Sequence, residues 1–371
     1  MADDNMKDEI VQQFLRKGKL LTPEALKMIE EKGLGAIKDE GFIVTKHSTP
    51  AASTTKNDSV RVLKNITEVK NELTADDFAQ FYRSRHDRMK AVITGRVQRN
   101  FSSLNKLDNY RDEVHVIGMV RSIRESGDKI ILDLEDMTAA VPIVFEKEAT
   151  EDVELDDVVA VRAVSAKSMM FGKQIIFPDV PLRQPTTGWG RLCFAPSPNL
   201  DETPRQDAEK IFAWLEKNDI KNIFFAGDIG DVAVFENLTS RYCYGRNVFV
   251  VPGEKDKTTA YPNTPIKFSY DKIISLSNPS MVEINGIKIL LTHNFAISML
   301  KKRYLGRPKR ITHEDHLVLE EVPDIVLFNH HNDPQITNYK SITIANPGSL
   351  LAGTNVIVID LLTREAQQIA V

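Results

Sequence analysis

Ile223-Phe224-Phe225-Ala226-Gly227-Asp228-Ile229-Gly230-Asp231 decides the fold, together with its echo Val248-Phe249-Val250-Val251-Pro252-Gly253-Glu254-Lys255-Asp256. Each is a short apolar run that breaks at glycine and meets carboxylates at once. Such runs, bounded by Gly or Pro, read as buried strands. In open α/β sheets, ligands collect beyond the carboxyl ends of the strands. Asp228, Asp231, Glu254 and Asp256 are therefore expected in one crevice. Two later runs end in the same way. Ile287–Thr292 leads into His293, and Ile325–Phe328 leads into Asn329-His330-His331-Asn332-Asp333. One such end is ordinary turn chemistry, because Asp, Asn and Gly belong in turns. Four together, each delivering a carboxylate or an imidazole, match the layout of a metal site or of its relic.

Outward from this stretch, the composition is that of a globular chain: 371 residues, 42% hydrophobic and 27% charged. That length predicts about two or three domains. A net charge of −4 gives no general basic field, so contact with nucleic acid needs a local patch or a partner. Cys193 and Cys243 form no C-x-x-C pair, and a disulfide framework is not expected. The acidic Met1-Ala2-Asp3-Asp4-Asn5 is not the start of a signal peptide, and no apolar run is long enough for a membrane span.

Residues 1–44 read as a small helical unit. Ile10, Val11, Phe14 and Leu15 recur at helical spacing, and Thr22-Pro23 begins a second helix. Residues 45–65, rich in Ser, Thr, Ala and Lys, read as a flexible linker. Residues 66–110 read as a helical connector. In it Thr74 caps a helix with Phe78, Phe81, Tyr82, Met89, Val92 and Ile93 on one side, and Arg83, Arg85, Arg88 and Lys90 on a solvated face. Residues 111–183 carry strand patterning in five runs: 114–121, 129–136, 140–145, 157–164 and 174–177. Five short strands with tight turns suggest a closed barrel of OB type. Its aromatics are few (Phe145, Phe171, Phe177), which argues for a structural module over a strong binder of single strands. From residue 188 to 371 the pattern is α/β. It includes a strand at Arg191-Leu192-Cys193-Phe194, a helix over 207–218 and a hairpin turn at Asn285-Gly286.

This order of parts, with Gly-Asp-x-x-Asp, Pro-Gly-x-x-Asp, Thr-His and a His cluster, resembles the small subunit of the archaeal family-D DNA polymerase. The B subunits of eukaryotic replicative polymerases share the architecture. The resemblance covers nearly the whole chain. It extends to Phe177-Pro178-Asp179-Val180-Pro181, Pro323-Asp324-Ile325 and Asn346-Pro347-Gly348-Ser349. It implies a multidomain α+β protein: a small helical N-terminal unit, an OB β-barrel and a calcineurin-like α/β phosphoesterase sandwich.

In active members, the resemblance implies, two metal ions support a 3′–5′ exonuclease. Their motifs are Asp-x-His, Gly-Asp-x-x-Asp, Gly-Asn-His-Asp, a lone His and Gly-His-x-His. This chain departs from them. Pro196 and Pro198 stand where Asp-x-His should be, Glu254 and Lys255 replace Asn and the catalytic His, and Asn332 replaces the last His. Asp228, His293 and His330 are kept. One metal position is thus nearly stripped. The other retains Asp228, His293 and His330, with Glu254 in place of Asn, and could hold a single zinc, manganese or iron ion. The preferred expectation is an empty relic with no catalytic residue, held by hydrogen bonds and a Lys255–carboxylate pair.

The expected function is an accessory subunit that scaffolds the large catalytic subunit in DNA replication, cytoplasmic and associated with the nucleoid. DNA would be met mainly through the complex, with sliding clamp or primase as further partners. The alternative is an active metal-dependent 3′–5′ exonuclease. A third reading is a single-strand-binding module. Lys301, Lys302, Arg303, Arg307, Lys309 and Arg310 form the candidate DNA or partner contact. His313 and His316 are expected at a helix start after Thr312.

Overall fold

The computed structural model describes residues 10–11, 20–21, 25–27, 29, 43–44, 58–67, 74–97, 99–109, 113–166, 169–256, 258–329 and 333–371. Two compact units divide the chain, 1–58 and 59–371. In the first, residues 10–11 and 25–27 are helical. The strands β1 (Leu20–Leu21) and β2 (Ile43–Val44) pair in parallel there. Phe14, Leu15, Thr22 and Pro23, on which the expected helices rest, lie outside the described residues, and strands of two residues are too short to leave a sequence pattern.

The second unit begins with β3 (Val60–Lys64), at the end of the stretch read as linker. It pairs antiparallel with a strand more than two hundred residues later, Val62 opposite Val282. Its Arg61 and Lys64 mimic linker composition, but an edge strand tolerates such charges. Helix α1 (Ala75–Arg96) follows, opened by a capping box: Asp77 N–H donates to Thr74 Oγ1 at 3.3 Å, and Thr74 N–H donates to Asp77 Oδ2 at 2.8 Å. One face assignment is corrected. Phe81, Arg85 and Met89 lie at i, i+4 and i+8, so Arg85 shares the buried stripe, whereas Phe78 and Tyr82 are exposed.

Then come β4 (Phe101–Ser102), β5 (Glu113–Ser126), β6 (Lys129–Glu135), β7 (Ala140–Glu146), β8 (Val158–Ala166) and β9 (Met169–Ile176). The order β5-β6-β7-β9-β8 closes on itself through β5–β8 pairing, giving the OB-like barrel. Leu132, Leu134, Ile143, Phe145 and Val161 fill it. Gly172 is required where it sits, because a Cβ there would lie 2.0 Å from the Phe145 ring.

The rest is a two-sheet sandwich. Its elements are β10 (Arg191–Ala195), α2 (Arg205–Lys217), β11 (Asn222–Gly227), α3 (Val232–Tyr242), β12 (Asn247–Pro252), β13 (Ile273–Ser275), β14 (Ser280–Ile284), β15 (Ile287–Thr292), α4 (Ile297–Lys302), β16 (Ile325–Phe328), β17 (Gln335–Tyr339), β18 (Ile342–Asn346), β19 (Asn355–Asp360) and β20 (Ala366–Ala370). One sheet runs β13-β12-β11-β10-β19-β20 and the other β17-β18-β16-β15-β14-β3. Phe194, Phe224, Phe249, Leu291 and Leu327 form the core between them. Helices α2 and α3 cover the outer face of the first sheet through Phe212 and Phe235. Every residue of β11 is buried, as expected of a central strand in parallel pairing. The Asn285-Gly286 hairpin turn has φ of 53° and 84°, the left-handed pair that such a turn needs. Among the described residues, no helix is long and apolar enough to cross a membrane.

Candidate functional site

The ends of β10, β11, β12, β15 and β16 converge at one edge of the sandwich. Gly227, at φ 102°, marks the meeting point. A Cβ there would lie 3.1 Å from Ser197 Oγ, 3.3 Å from Asn329 O and 3.3 Å from His293 Nδ1. Gly253 is equally constrained, since its Cβ would lie 2.1 Å from Asp228 Oδ1. Only glycine lets the two loops approach this closely.

Most polar side chains at this edge are engaged within the chain. Asp228 Oδ1 accepts the Lys255 N–H at 2.8 Å. The Lys255 ammonium donates to Glu202 Oε1 at 2.9 Å, and that contact holds it above the usual lysine range. Glu254 pairs with Lys309 at 3.2 Å. Asp256 braces both turns, accepting N–H groups of Gly253 at 2.8 Å and Ile229 at 3.0 Å; burial pushes its carboxyl upward against those bonds. Asp231 caps α3 through the Val234 N–H. The His293 backbone N–H donates to Asn278 Oδ1 at 3.1 Å. Pro196 and Pro198 are buried and offer no donor or ligand atom. Between them, Ser197 Oγ donates to the Asp228 carbonyl at 2.9 Å, and Asn199 Nδ2 reaches Ser197 Oγ and Ser349 Oγ.

The single crevice expected for Asp228, Asp231, Glu254 and Asp256 is two adjoining clefts. One, of about 600 Å³, is lined by Asp201, Glu202, Asp228, Asp231, Lys255 and Asp256. The other, of about 440 Å³, is lined by Glu254, Asp256, His293, Arg307 and Lys309 among others. Asp256 borders both. Among the described residues, no group of three or more His, Cys, Asp or Glu side chains is placed to hold a metal. His330 and Asn332 lie outside the described residues.

The basic cluster is also corrected. Lys301 pairs with Asp152, and Lys302 with Asp157 and Glu154, all on the barrel side. Arg303 is buried, with its guanidinium on the carbonyls of Leu319 and Glu320. Lys309 belongs to the cleft. Arg307 is exposed, while Arg310 is half-buried. No helix starts after Thr312; the segment is turns, with His313 Nδ1 3.0 Å from Asp77 Oδ1. Burial lowers the affinity of His316 for its proton. Sequence reading missed the Ser197–Asn199–Ser349 network and the Glu254–Lys309 pair. The only available signal was the polar Ser197 held between two prolines.

The implied two-ion centre does not fit these donors. The first-strand positions are prolines, Asp228 accepts a backbone N–H, Glu254 is tied to Lys309, and a lysine stands where the acid/base imidazole would be. Residues 204–362 match the calcineurin-like phosphoesterase superfamily domain. Over most of its length the chain is similar to the DNA polymerase II small subunit of Archaeoglobus fulgidus, 24% identical across 93% of this chain and 91% of the relative. That of Thermoplasma acidophilum is 24% identical across 91% and 85%. That of Methanothermobacter thermautotrophicus is 24% identical across 75% and 73%. Among solved structures, an archaeal phosphodiesterase aligns over 49% of this chain and 99% of its own, 17% identical, with a TM-score of 0.34. Along most of its length the chain is thus similar to archaeal DNA polymerase II small subunits, with a calcineurin-like phosphoesterase domain over residues 204–362.

Proposed function

We propose that the chain is the accessory small subunit of a replicative family-D polymerase, scaffolding a large catalytic subunit inside the cell, and that its own phosphoesterase site no longer cleaves DNA. DNA, and any sliding clamp or primase, would be met through that complex. The observation that supports loss of cleavage is the pair of lysines in the cleft. Lys255 and Lys309 each neutralise a carboxylate at the mouth, Glu202 and Glu254. Two-metal hydrolysis needs ions that activate water and clamp the attacking and leaving oxygens. Here the charges beside those two carboxylates are ammonium groups, and an ammonium group does not activate a water. Lys255, held charged by Glu202, cannot act as a base at neutral pH. Losing both the ions and the acid/base group removes several kcal/mol of transition-state stabilisation, many orders of magnitude in rate.

A second reading keeps one ion on Asp228, Glu254, His293 and His330. It requires Glu254 to leave Lys309, and it draws support from the retention of Asp228 and His293. The test is nuclease activity of the purified chain on single-stranded and mismatched DNA with Mn²⁺, beside Asp228→Ala, with metal content measured on both. No activity and no metal is the expected result. Activity abolished in Asp228→Ala would overturn it, and metal without activity would favour the single-ion reading. Co-purification with a large polymerase subunit tests the scaffolding role separately.

A further inference from the structure

A third concavity lies away from the strand ends, in the angle between α1 and the barrel. It holds about 480 Å³ and is lined by Tyr82, Arg83, His86, Met119, Arg121 and Met137, with Glu135, Asp136 and Asp156 at its edge. Two of the lining side chains are large, apolar and exposed, Tyr82 at 36% and Met137 at 55%. Exposed apolar side chains gathered at a concavity point to an interaction surface.

Two features point to what it receives. His86 is 4% exposed and its Nε2 has no hydrogen-bond partner, an unfavourable state for a buried polar atom. Arg83, on the exposed rim of the helix, makes no ion pair among the described residues. The acids nearby are already engaged. Asp136 accepts the N–H groups of Leu104, Thr138 and Ala139, and Asp156 faces Arg85 at 3.8 Å. Glu135 sits 3.8 Å from Arg121 in an exposed pair, which is weak. The groove therefore combines adaptable apolar surface, including two methionines, with an unmatched guanidinium, while the His86 ring is bound through Nδ1 to Asp87 at 3.3 Å. A nucleic-acid backbone is a poor fit, since three carboxylates border a groove with a single unmatched guanidinium. A peptide with an apolar anchor beside a carboxylate satisfies every part.

We propose that this groove is a docking site for an acidic, apolar-anchored peptide segment of a protein partner. The anchor lies against Tyr82, Met119 and Met137, and its carboxylate meets Arg83, one turn of α1 before the buried His86 that lines the same groove. The surface is separate from the strand-end clefts and holds whether or not those clefts bind metal.

The test is selection of short random peptides against the full chain, followed by calorimetry on the synthesised winners. Enriched peptides should carry Leu, Phe, Met or Trp next to Asp or Glu. Arg83→Glu should weaken them about tenfold or more, with Lys-for-Asp versions of the same peptides then preferring the variant. Met137→Glu, at an exposed position, should weaken them as well, and the Nε2 resonance of His86 should move on binding. Failure to enrich such peptides, equal binding to wild type and Arg83→Glu, or an unmoved His86 resonance in the bound state would overturn the proposal. So would an oligothymidylate that bound wild type and lost its affinity in Arg83→Glu.

Discussion

Arg85 Nε donates to Asp315 Oδ2 at 2.6 Å, and both side chains are almost wholly buried. Asp315 also accepts from Tyr304 Oη at 2.9 Å and from the Leu317 N–H at 2.9 Å. The guanidinium stacks 4.4 Å over the Tyr304 ring and lies 3.8 Å from Asp156 on the barrel. One side chain of α1 thus joins the helix, the barrel and the sandwich. Asp315→Ala would leave a buried cation without its counter-ion, at a cost of about 3–5 kcal/mol. Arg85→Met with Asp315→Leu should cost clearly less than the two single losses added. Denaturant midpoints of the four chains check this, and additive costs would mean the two residues do not act as a pair.

Gly253→Ala should destabilise through the Asp228 loop. The added methyl would sit 2.1 Å from Asp228 Oδ1 and 2.3 Å from Asp228 N. The Asp228 nitrogen is backbone and cannot swing aside, so the turn must shift. The expected loss is about 1–3 kcal/mol. It should come with faster amide exchange at Lys255, whose N–H is bound to the same carboxylate.

The strand-end motifs were legible because Gly and Asp after an apolar run have a local cause: tight turns and close loop approach. The barrel strands followed from alternation and the hairpin from its Asn285-Gly286 turn, whereas the sandwich was what the family resemblance implied. What was illegible depended on partners distant in sequence. Nothing near Arg85 announces Asp315, 230 residues away. Only the i, i+4 placement between Phe81 and Met89 could have moved it from the solvated face to the buried one. Val60–Lys64 reads as linker because its value as a strand lies in pairing with Ser280–Ile284. Glu254 and Lys309 each look like free charges until the loops are brought together.

Lys64 gives a pH test. Its ammonium donates to the Val318 carbonyl at 3.2 Å, and burial lowers its pKa from 10.5 to about 8. Below about 8 both the folded and the unfolded chain hold the proton, and the penalty for burying the charge is constant. From there to 10.5 the folded chain sheds the proton while the unfolded chain keeps it, so stability rises with pH. Solvent reaches this partly buried amine, so the rise should be only about 1–2 kcal/mol. Lys64→Met should remove that rise and gain stability below pH 8. Urea midpoints across the window, compared between the two chains, decide it, and parallel curves would refute the assignment.

Lys301 and Lys302 separate an internal joint from a DNA-binding surface. Lys302 lies 2.9 Å from Asp157, and the two side chains are 12% and 9% exposed. Burial raises the Asp157 carboxyl, so this charge depends on its partner. Lys302→Ala should therefore cost about 1–3 kcal/mol by stranding a buried carboxylate between barrel and sandwich. Lys301 pairs with Asp152 at 2.5 Å in an open setting, 38% and 64% exposed, so Lys301→Ala should cost below about 1 kcal/mol. A DNA-tracking cluster behaves in the opposite way. Each lysine lost from it lowers affinity and flattens the salt dependence by a similar step, with little change in stability. Unequal stability losses with unchanged DNA affinity would identify the cluster as the joint. Equal losses of DNA affinity with intact stability would return it to the nucleic acid.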